Sequence, residues 1–242
     1  MLLPVRDGAE HIERALASLS SQTLGGFGVL VLDDGSEDGT AGICEAFSRA
    51  DSRFRLVRGP REGLVPTLQR GLALVETPLV ARMDADDVSH SERLERQLSF
   101  LQANEALAGC GSGVRYTPEA AVTDRSRAYQ SWLNGMTSWG AVERDLFVEC
   151  PLAHPTFFFR TEVLRAVGGY RDQGWPEDYD LLLRLWRAGH RFAAVPEVLL
   201  DWSIEERGLS RTHPAYSLEA FHRCRAHHLA RSHLAQGREA YI

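Results

Sequence analysis

The sequence predicts an α/β fold: a mostly parallel central sheet flanked by helices, with a smaller mixed region beside it and a C-terminal helix. Over about the first 100 residues, strand-like apolar runs alternate with helical spacing, which is typical of βαβ units. Polar clusters directly follow several of these runs. In an open parallel sheet such positions lie at the carboxyl edge, where ligands bind.

The elements are predicted in chain order from these patterns. Strands are expected at residues 2–5, 29–32, 54–57 and 79–83, and helices at about 12–19, 40–50, 65–75 and 91–101. From residue 106 to about 161 the periodicity weakens, which predicts shorter strands and loops packed beside the sheet. Helical spacing returns at 181–186 and from 216 to 234.

Composition narrows the class of protein. The 242 residues, 44% of them hydrophobic, are enough for one compact domain, and the net charge of −6 argues against general nucleic-acid binding. The four cysteines form no CxxC pair, so neither a zinc site nor a disulfide scaffold is indicated. No apolar run approaches the roughly 20 residues that span a bilayer. We therefore expect a cytoplasmic protein, with peripheral binding to the inner face of a membrane left open.

Three carboxylates stand within Asp84-Ala85-Asp86-Asp87, directly after a predicted strand. Such a concentration of like charge favours a cationic partner. Mg²⁺ or Mn²⁺ fits, since hard divalent ions are held by one or two carboxylates together with water and phosphate oxygens. The alternative is structural: Asp87 or Ser89 caps the following helix. The residues alone leave both interpretations open.

A second acidic cluster, residues 33–40, follows the strand at 29–32. Gly35 and Gly39 are suited to a tight turn, and Asp38 or Thr40 could cap the next helix. Alternatively, Asp34 accepts hydrogen bonds from a nucleobase or a ribose, as the acidic residue of a dinucleotide fold does. No GxGxxG follows the first strand, so the Rossmann fingerprint is absent.

A third acidic group, Glu177-Asp178-Tyr179-Asp180, opens the helix predicted at 181–186. In the structural interpretation, Glu177 or Asp178 caps this helix. In the functional one, a carboxylate directed into a cleft acts as a general base and takes a proton from an acceptor hydroxyl.

The histidines and tryptophans favour structural roles. His154 and His213, each followed by proline, are typical of ordinary loop residues. The C-terminal histidines predict a helix surface; they are His222, His227, His228 and His233. Four tryptophans are expected mainly in the core, where one could also stack on a sugar; they are Trp132, Trp139, Trp175 and Trp202.

Several short motifs occur in a fixed order between residue 1 and about residue 211. They are Pro4-Val5-Arg6-Asp7, Ser18-Leu19-Ser20-Ser21-Gln22-Thr23, Val31-Leu32-Asp33-Asp34-Gly35-Ser36, Gly71-Leu72-Ala73, Ala81-Arg82-Met83-Asp84-Ala85-Asp86-Asp87, Arg93-Leu94, His154-Pro155-Thr156, Gly168-Gly169-Tyr170 and Glu177-Asp178-Tyr179-Asp180. Each motif alone is weak, but the ordered series is specific. It resembles the inverting glycosyltransferases of family 2, which have the GT-A fold.

The resemblance implies an organisation and roles for residues. A single domain, 1–242, would comprise a nucleotide-sugar-binding half (1–105), an acceptor and catalytic half (106–214) and a C-terminal helical segment (215–242). Asp178 would be the general base, with Glu177 and the Gly168-Gly169 turn shaping the acceptor side. Asp86 would bind Mn²⁺ or Mg²⁺. The residues implied in nucleotide-sugar binding are Pro4, Arg6, Asp7, Asp34, Arg61, Arg82, Asp84 and Ala85.

Three residues depart from the family pattern. The family usually has an aromatic residue, which stacks on the base, where this chain has Arg6; a guanidinium can stack as well. Downstream of Trp202 the family often has Arg and His near the diphosphate, whereas this chain has Ser203 and Glu205. We assign His213 as the replacement metal ligand.

The resemblance implies transfer of a sugar from a UDP-linked donor to a hydroxyl of a glycan or lipid-linked acceptor, in cell-envelope or surface-polysaccharide synthesis. Two other functions stay open. One is nucleotidyl transfer to a sugar phosphate, although the glycine-rich basic loop of that class is not visible after Val5. The other is a non-catalytic module that binds a nucleotide sugar or a glycan.

Overall fold

The computed structural model describes residues 1–204 and 212–235. In chain order the strands are β1 Leu2–Val5, β2 Val29–Asp33, β3 Phe54–Arg58, β4 Leu79–Ala81, β5 Val88–Ser89, β6 Leu107–Thr117, β7 Phe158–Arg160 and β8 Arg191–Ser203. The α-helices are α1 Ile12–Ser20, α2 Thr40–Ala50, α3 Leu64–Ala73, α4 Arg93–Ala103, α5 Asp124–Asn134, α6 Trp139–Asp145, α7 Thr161–Ala166, α8 Glu177–Arg187 and α9 Leu218–Ala235. Short 3₁₀ helices cover Glu119–Ala121, His154–Thr156 and Pro214–Tyr216.

The strands form two sheets that meet at the ends of β1 and β4. The first sheet is parallel, in the order β1-β2-β3. The second is mixed, in the order β4-β7-β6-β8-β5, with β6 and β8 parallel and the other pairs antiparallel. A parallel bridge between Leu2 and Arg82 joins them. The loops that follow β1, β2 and β4 therefore lie along one edge, which is where the predicted acidic clusters stand.

The α/β class and the flanking helices are confirmed, and β1 and α2 have the predicted bounds. The prediction for residues 106–161 is wrong, because β6 is an 11-residue strand and α5 and α6 follow it. The first eight residues of β6 are buried and include Gly109. A side chain at Gly109 would meet the ring of Phe159, with its Cβ only 2.0 Å from the nearest ring atom. Close packing thus selects small residues, which conceal the strand pattern.

Helix α8 is buried on nearly all sides, as expected for a helix in the middle of a core. Tyr179, Leu182 and Leu185 are fully buried in a hydrophobic cluster that also contains Leu32 of β2 and Leu68 of α3. This packing fixes the first turn of α8 relative to the parallel sheet. Within the described ranges, no helix combines the length and the hydrophobicity needed to cross a membrane.

Candidate active site

One cleft collects most of the predicted site residues. It has a volume of about 860 Å³ and lies beside the ends of β1, β2 and β4 and the first turn of α8. The predicted residues that line it are Pro4, Arg6, Asp7, Asp34, Arg82, Asp84, Ala85, Asp86, Glu177, Asp178 and His213. Arg61 is not part of this lining. Its guanidinium lies 3.9 Å from the carboxylates of Asp7 and Glu37, at the margin of the acidic turn after β2.

Hydrogen bonds join the loop after β1 to the acidic turn after β2. The backbone N–H of Asp7 donates to Ser36 Oγ at 3.0 Å, and Asp7 Oδ1 accepts from the N–H of Glu37 at 2.8 Å. Asp7 has a positive φ of 49°, a conformation that costs energy for a residue with a side chain. These hydrogen bonds hold the strained backbone in place. The two loops therefore form one rigid wall of the cleft.

Asp34, buried at the end of β2, organises the segment before α3. Its Oδ1 accepts from the N–H of Glu62 at 2.8 Å and from the hydroxyl of Thr67 at 3.1 Å. Its Oδ2 accepts from Gly63 N–H at 3.0 Å and lies 3.6 Å from the Arg6 guanidinium. A carboxylate has about four lone-pair sites. Oδ2 therefore keeps the capacity to accept from a ligand N–H next to Arg6.

The buried Arg82 and the partly exposed Asp84 form an ion pair where the chain leaves β4. The guanidinium of Arg82 is 3% exposed and is paired with both carboxylate oxygens of Asp84. The Arg82 carbonyl accepts from the buried Arg93 guanidinium at 2.6 Å. This two-point pairing fixes the orientation of the Asp84 carboxylate at the floor of the cleft.

The Asp84–Asp87 loop brings three carboxylates together. Asp84, Asp86 and Asp87 each offer an oxygen atom within 4.8 Å of the others. Asp87 is fully buried, and its Oδ2 has no hydrogen-bond partner in the described part of the chain. Burial, followed by the charges of Asp84 and Asp86, raises the pKa of Asp87 well above its ordinary value. A divalent cation would relieve this charge, and hard oxygen donors suit Mg²⁺ or Mn²⁺.

Neither capping alternative for this loop is correct. Helix α4 begins at Arg93, and Glu92 occupies the capping position without a side-chain cap. The Asp87 carboxylate instead accepts from the backbone N–H of Ser203 at 2.8 Å. Residues on β8 and α1 also hold the Asp86 carbonyl, which accepts from Ser203 Oγ at 2.5 Å and from the Arg14 guanidinium at 3.1 Å.

Asp178 lies half-buried on the first turn of α8 and faces the cleft. Its Oδ1 accepts from the N–H of Tyr179 at 2.7 Å, and the Cys150 thiol lies 3.7 Å from its Oδ2. Burial and, next, the charge of Glu177 raise the pKa of Asp178 to about 6. At neutral pH the carboxylate is therefore mostly ionised but more basic than an ordinary aspartate, which suits a general base.

Glu177 stands beside Asp178 but has a different environment. Its carboxylate accepts from the Tyr216 hydroxyl at 2.6 Å and lies 3.3 Å from His154 Nδ1. Burial alone would raise the pKa of Glu177, but the hydrogen bonds and charge from His154 and the bond from Tyr216 outweigh it, so the pKa is lowered. The capping position of α8 belongs to Pro176, which does not support a capping role for either carboxylate.

Two residues at this end of the cleft were not predicted as site residues. His154 was interpreted as an ordinary loop residue, and this is wrong, because its side chain is buried against Glu177 and Tyr170. The His154-Pro155-Thr156 motif was the available signal. Tyr216 reaches Glu177 from a segment 39 residues away, and no local pattern indicates that contact.

The assignment of His213 as the replacement metal ligand stays a prediction. His213 lines the cleft, but it is exposed and its Nδ1 accepts from the N–H of Ala215 at 3.3 Å. Among the described residues, the acidic cluster of the loop contains Asp84, Asp86 and Asp87 without His213. Glu205 lies outside the described residues.

Aromatic side chains form part of the cleft lining. Tyr116 and Trp202 stack with ring centroids 5.2 Å apart, and Tyr129 and Trp175 also line the cleft. Trp175 and Trp202 also pack against the hydrophobic clusters, so each contributes to both the core and the cleft wall.

A second buried polar cluster holds α9 against α8. Asp180 accepts from the Arg184 guanidinium at 2.7 Å and from the Trp175 indole at 3.1 Å, and His228 Nε2 lies 3.0 Å away. The surface prediction for His228 is therefore wrong, since it is 1% exposed. Cys224 lies close enough to complete a potential ligand group. The Asp180 carboxylate is already neutralised by Arg184, so this cluster is a structural junction.

Comparison with known proteins identifies the family. The family model described as glycosyl transferase family 2 matches residues 2–168. The amylovoran biosynthesis glycosyltransferase AmsE of Erwinia amylovora is 28% identical over 202 residues, which cover 81% of this chain and 71% of AmsE. The O-antigen biosynthesis glycosyltransferase WbnJ of Escherichia coli is 24% identical over 219 residues, covering 89% of this chain and 83% of WbnJ.

Solved structures confirm the GT-A fold. S. aureus TarS 1–349 in complex with UDP-GlcNAc has a TM-score of 0.74 at 19% identity, covering 95% of this chain and 65% of that one. The mannosyltransferase PcManGT from Pyrobaculum calidifontis, in complex with GDP-Man and Mn²⁺, has a TM-score of 0.67 at 18% identity. It covers 100% of this chain, which spans 64% of that protein. Because the family model matches well over half of the sequence, from residue 2 to residue 168, the chain belongs to glycosyl transferase family 2.

Proposed function

We propose that this chain catalyses the metal-dependent, inverting transfer of a sugar from a UDP-linked donor to a hydroxyl of a glycan or lipid-linked acceptor. One observation carries the proposal: the Asp84–Asp87 loop and the half-buried Asp178 carboxylate line the same cleft. The first supplies a site for a cation and a diphosphate, and the second supplies a base. Together they meet both chemical requirements of glycosyl transfer.

The donor is assigned to the wall formed by the loops after β1, β2 and β4. Asp34 Oδ2 and the Arg6 guanidinium lie 3.6 Å apart, where a uracil N–H can be accepted and a planar cation can stack on the base. Asp84, oriented by Arg82, is positioned to accept from ribose hydroxyls. The complex of TarS with UDP-GlcNAc supports a UDP-linked donor in this fold.

The residues of the acidic loop fit a divalent cation. Their donors are hard carboxylate oxygens, and the buried Asp87 Oδ2 has no partner in the described part of the chain. Asp86 would hold Mn²⁺ or Mg²⁺, with His213 as an additional ligand. The ion supplies charge that stabilises the departing diphosphate. The Mn²⁺ in the PcManGT complex supports this choice of metal.

Asp178 performs the proton transfer. As the acceptor oxygen forms its bond to the anomeric carbon, the bond from that carbon to the diphosphate oxygen breaks and the hydroxyl proton passes to Asp178. Attack from the face opposite the leaving group inverts the anomeric centre. The pKa of Asp178, about 6, keeps most of the carboxylate ionised at neutral pH while leaving it basic.

The acceptor is assigned to the part of the cleft that is lined by aromatic side chains. Tyr116, Tyr129 and Trp202 line the same cleft as Asp178, and aromatic faces suit the apolar faces of sugar rings. The names of AmsE and WbnJ, an amylovoran and an O-antigen biosynthesis glycosyltransferase, support a role in surface-polysaccharide synthesis. We place the protein in the cytoplasm, with peripheral binding to the inner membrane face where a lipid-linked acceptor would stand.

The test is a panel of nucleotide sugars incubated with the purified protein and saccharide acceptors, with Mn²⁺ or with a chelator. We expect Mn²⁺-dependent release of UDP and a product whose anomeric configuration is opposite to that of the donor. Donor binding without turnover across the panel would instead indicate a non-catalytic module. Release of pyrophosphate from a nucleoside triphosphate and a sugar phosphate would indicate nucleotidyl transfer. Either result contradicts the proposal.

A further inference from the structure

A buried chain of hydrogen bonds ends on Glu177. Tyr216 donates to Glu177 Oε2 at 2.6 Å, while His154 Nδ1 lies 3.3 Å from Oε1. His154 Nε2 lies 3.2 Å from the hydroxyl of Tyr170. An ionised carboxylate only accepts hydrogen bonds, so His154 donates to Glu177 through Nδ1. Glu177, His154 and Tyr170 are 3%, 7% and 4% exposed, so water does not screen this chain.

Asp178 receives none of the donors that hold Glu177. Its hydrogen-bond partners in the described part of the chain are the backbone N–H of Tyr179 at 2.7 Å and the weakly donating thiol of Cys150 at 3.7 Å. Two consecutive carboxylates on one helical turn thus have opposite environments. Glu177 is supplied with donors on both oxygens, and Asp178 faces the cleft.

We propose that His154 and Tyr216 are positioning residues that hold Glu177 as a fixed anion beside Asp178, and that this charge sets the basicity with which Asp178 accepts the acceptor proton. The inference rests on the proposed function, because it takes Asp178 as the base. Tyr216 and Glu177 both lie beyond residues 2–168, which the family model matches. The charge on Glu177 is useful because a stronger base transfers the proton more readily, provided that it remains ionised at the working pH.

The charged groups around Asp178 support this division of roles. Burial and the charge of Glu177 raise its pKa, while His154, the Tyr179 N–H and Arg82 lower it. The other titratable groups that interact with Asp178 have pKa values that burial raises, so they are neutral near pH 7 and add no net charge; they are Tyr129, Cys150, Tyr170, Tyr216 and Cys224. Glu177 is therefore the anion in this group that makes Asp178 more basic.

The direction of each substitution follows from these charges. In Glu177→Gln the neighbouring negative charge is lost, the pKa of Asp178 falls, and the acid limb of the pH profile moves from about 6 to lower pH. Tyr216→Phe removes one donor, so the pKa of Glu177 rises and the carboxyl keeps less of its negative charge toward acid pH. The limb then moves in the same direction by a smaller amount.

The experiment compares pH profiles of kcat for the wild type, Glu177→Gln, Tyr216→Phe and the double variant, at saturating donor and Mn²⁺. We expect Tyr216→Phe to lower kcat by about threefold, because the rate falls less than in proportion to the basicity of a general base, with an unchanged KM for the donor. We expect no further effect of Tyr216→Phe in the Glu177→Gln background. Equal effects in both backgrounds, or acid limbs that keep the wild-type position, would overturn the proposal.

Tyr179→Phe is the matched control. Tyr179 lies on α8, as Glu177 and Asp178 do, and its hydroxyl also donates a buried hydrogen bond, to the carbonyl of Leu146 at 2.7 Å. Loss of that bond is expected to lower stability about as much as Tyr216→Phe does, without moving the acid limb. A limb that moves equally in both variants would show a general structural effect and contradict the specific role of Tyr216.

A second readout does not require catalysis. Carboxyl ¹³C NMR titration of the wild type is expected to show a group with a midpoint near pH 6 that is missing in Asp178→Asn. Its midpoint should fall in Glu177→Gln and Tyr216→Phe. An unchanged midpoint in Glu177→Gln rejects the inference even if the protein transfers sugar. A lowered midpoint in a protein that transfers no sugar rejects the proposed function and leaves the charge relationship intact.

Discussion

The hydroxyl of Ser203 donates a hydrogen bond of 2.5 Å to the backbone carbonyl of Asp86. The backbone N–H of the same serine donates to Asp87 at 2.8 Å. The last residue of β8 therefore holds the acidic loop at Asp86 and Asp87, while the ion pair with Arg82 holds it at Asp84. Although Ser203 departs from the expected family pattern, it fixes the geometry of the loop to which we assign the metal.

Ser203→Ala tests this contact. The variant keeps the backbone hydrogen bond and loses only the hydroxyl, so we expect a folded protein with about tenfold weaker Mn²⁺ binding, the effect typical of losing a residue that orients a ligand. Calorimetric titration of Mn²⁺ in the presence of UDP measures it. Ser48→Ala is the control, because Ser48 Oγ donates to the Cys44 carbonyl at 2.9 Å within α2. Equal Mn²⁺ affinities in the two variants would contradict the role of Ser203.

Asp86→Asn tests the metal assignment. UDP with Mn²⁺ should raise the Tm of the wild type, because a ligand that binds only the folded state stabilises it by mass action. The variant should lose the part of this shift that depends on Mn²⁺. Asp124→Asn, at the exposed start of α5, is the control and should keep the full shift. A full Mn²⁺-dependent shift in Asp86→Asn would show that the ion binds elsewhere.

Thr67→Val tests the position of Asp34. The substitution removes a hydroxyl that donates to Asp34 at 3.1 Å and keeps the shape of the side chain. We expect a loss of about 1 kcal/mol in the free energy of unfolding and weaker UDP binding, with kcat little changed. Thr161→Val removes a comparable bond, to the Thr77 carbonyl at 2.8 Å, in a residue outside the cleft lining. The assignment is contradicted if both variants bind UDP with the same affinity.

The lowered pKa of the buried Asp180 carboxyl predicts that the protein loses stability in acid. Burial alone would raise its pKa, but His228, Arg184 and Trp175 lower it from 3.8 to about 2. A depressed carboxylate pKa gives stability that is present above the unfolded-state value and is lost as the pH falls through the folded-state value. The Asp180 carboxylate should therefore contribute about 2 kcal/mol to the free energy of unfolding at neutral pH. This contribution should decrease as the pH falls from about 4 to about 2.

Urea unfolding as a function of pH checks this prediction. Asp180→Asn should be less stable than the wild type at neutral pH, and the difference should narrow as the solution is acidified. A difference that stays constant over the same pH range would show that Asp180 is not the group responsible. Unlike the cleft variants, Asp180→Asn tests the junction between α8 and α9.

The acidic loops were predictable because their signals are local. The run Val29–Leu32 and the cluster that begins at Asp33 are adjacent in sequence, and a strand followed by carboxylates indicates the ligand-binding edge of a parallel sheet. The loop at Asp84–Asp87 follows the same pattern. Local chemistry could not decide between a cap and a cation site. The capping alternative is excluded by tertiary structure, in which Asp87 accepts a hydrogen bond from Ser203, 116 residues away.

The remaining features depend on tertiary packing. The small residues of β6 reflect the close approach of Phe159 to Gly109, which cannot be read from periodicity. His228 is spaced like a surface residue of an exposed helix, yet its partner Asp180 lies on another helix, 48 positions earlier. Tyr216 likewise gains its position only when its 3₁₀ turn packs on α8. Sequence patterns indicate where a helix lies but not which distant carboxylate it covers.

In the proposed mechanism, Asp178 removes the acceptor proton in a cleft that already holds the donor. The most direct test is the single-turnover transfer rate of Asp178→Asn, measured with a donor whose Kd is determined in parallel. We predict a rate at least about 100-fold below that of the wild type, with donor affinity changed by less than about twofold, because Asp178 is not among the residues assigned to donor binding. A transfer rate close to that of the wild type, with the donor bound equally well, would contradict it.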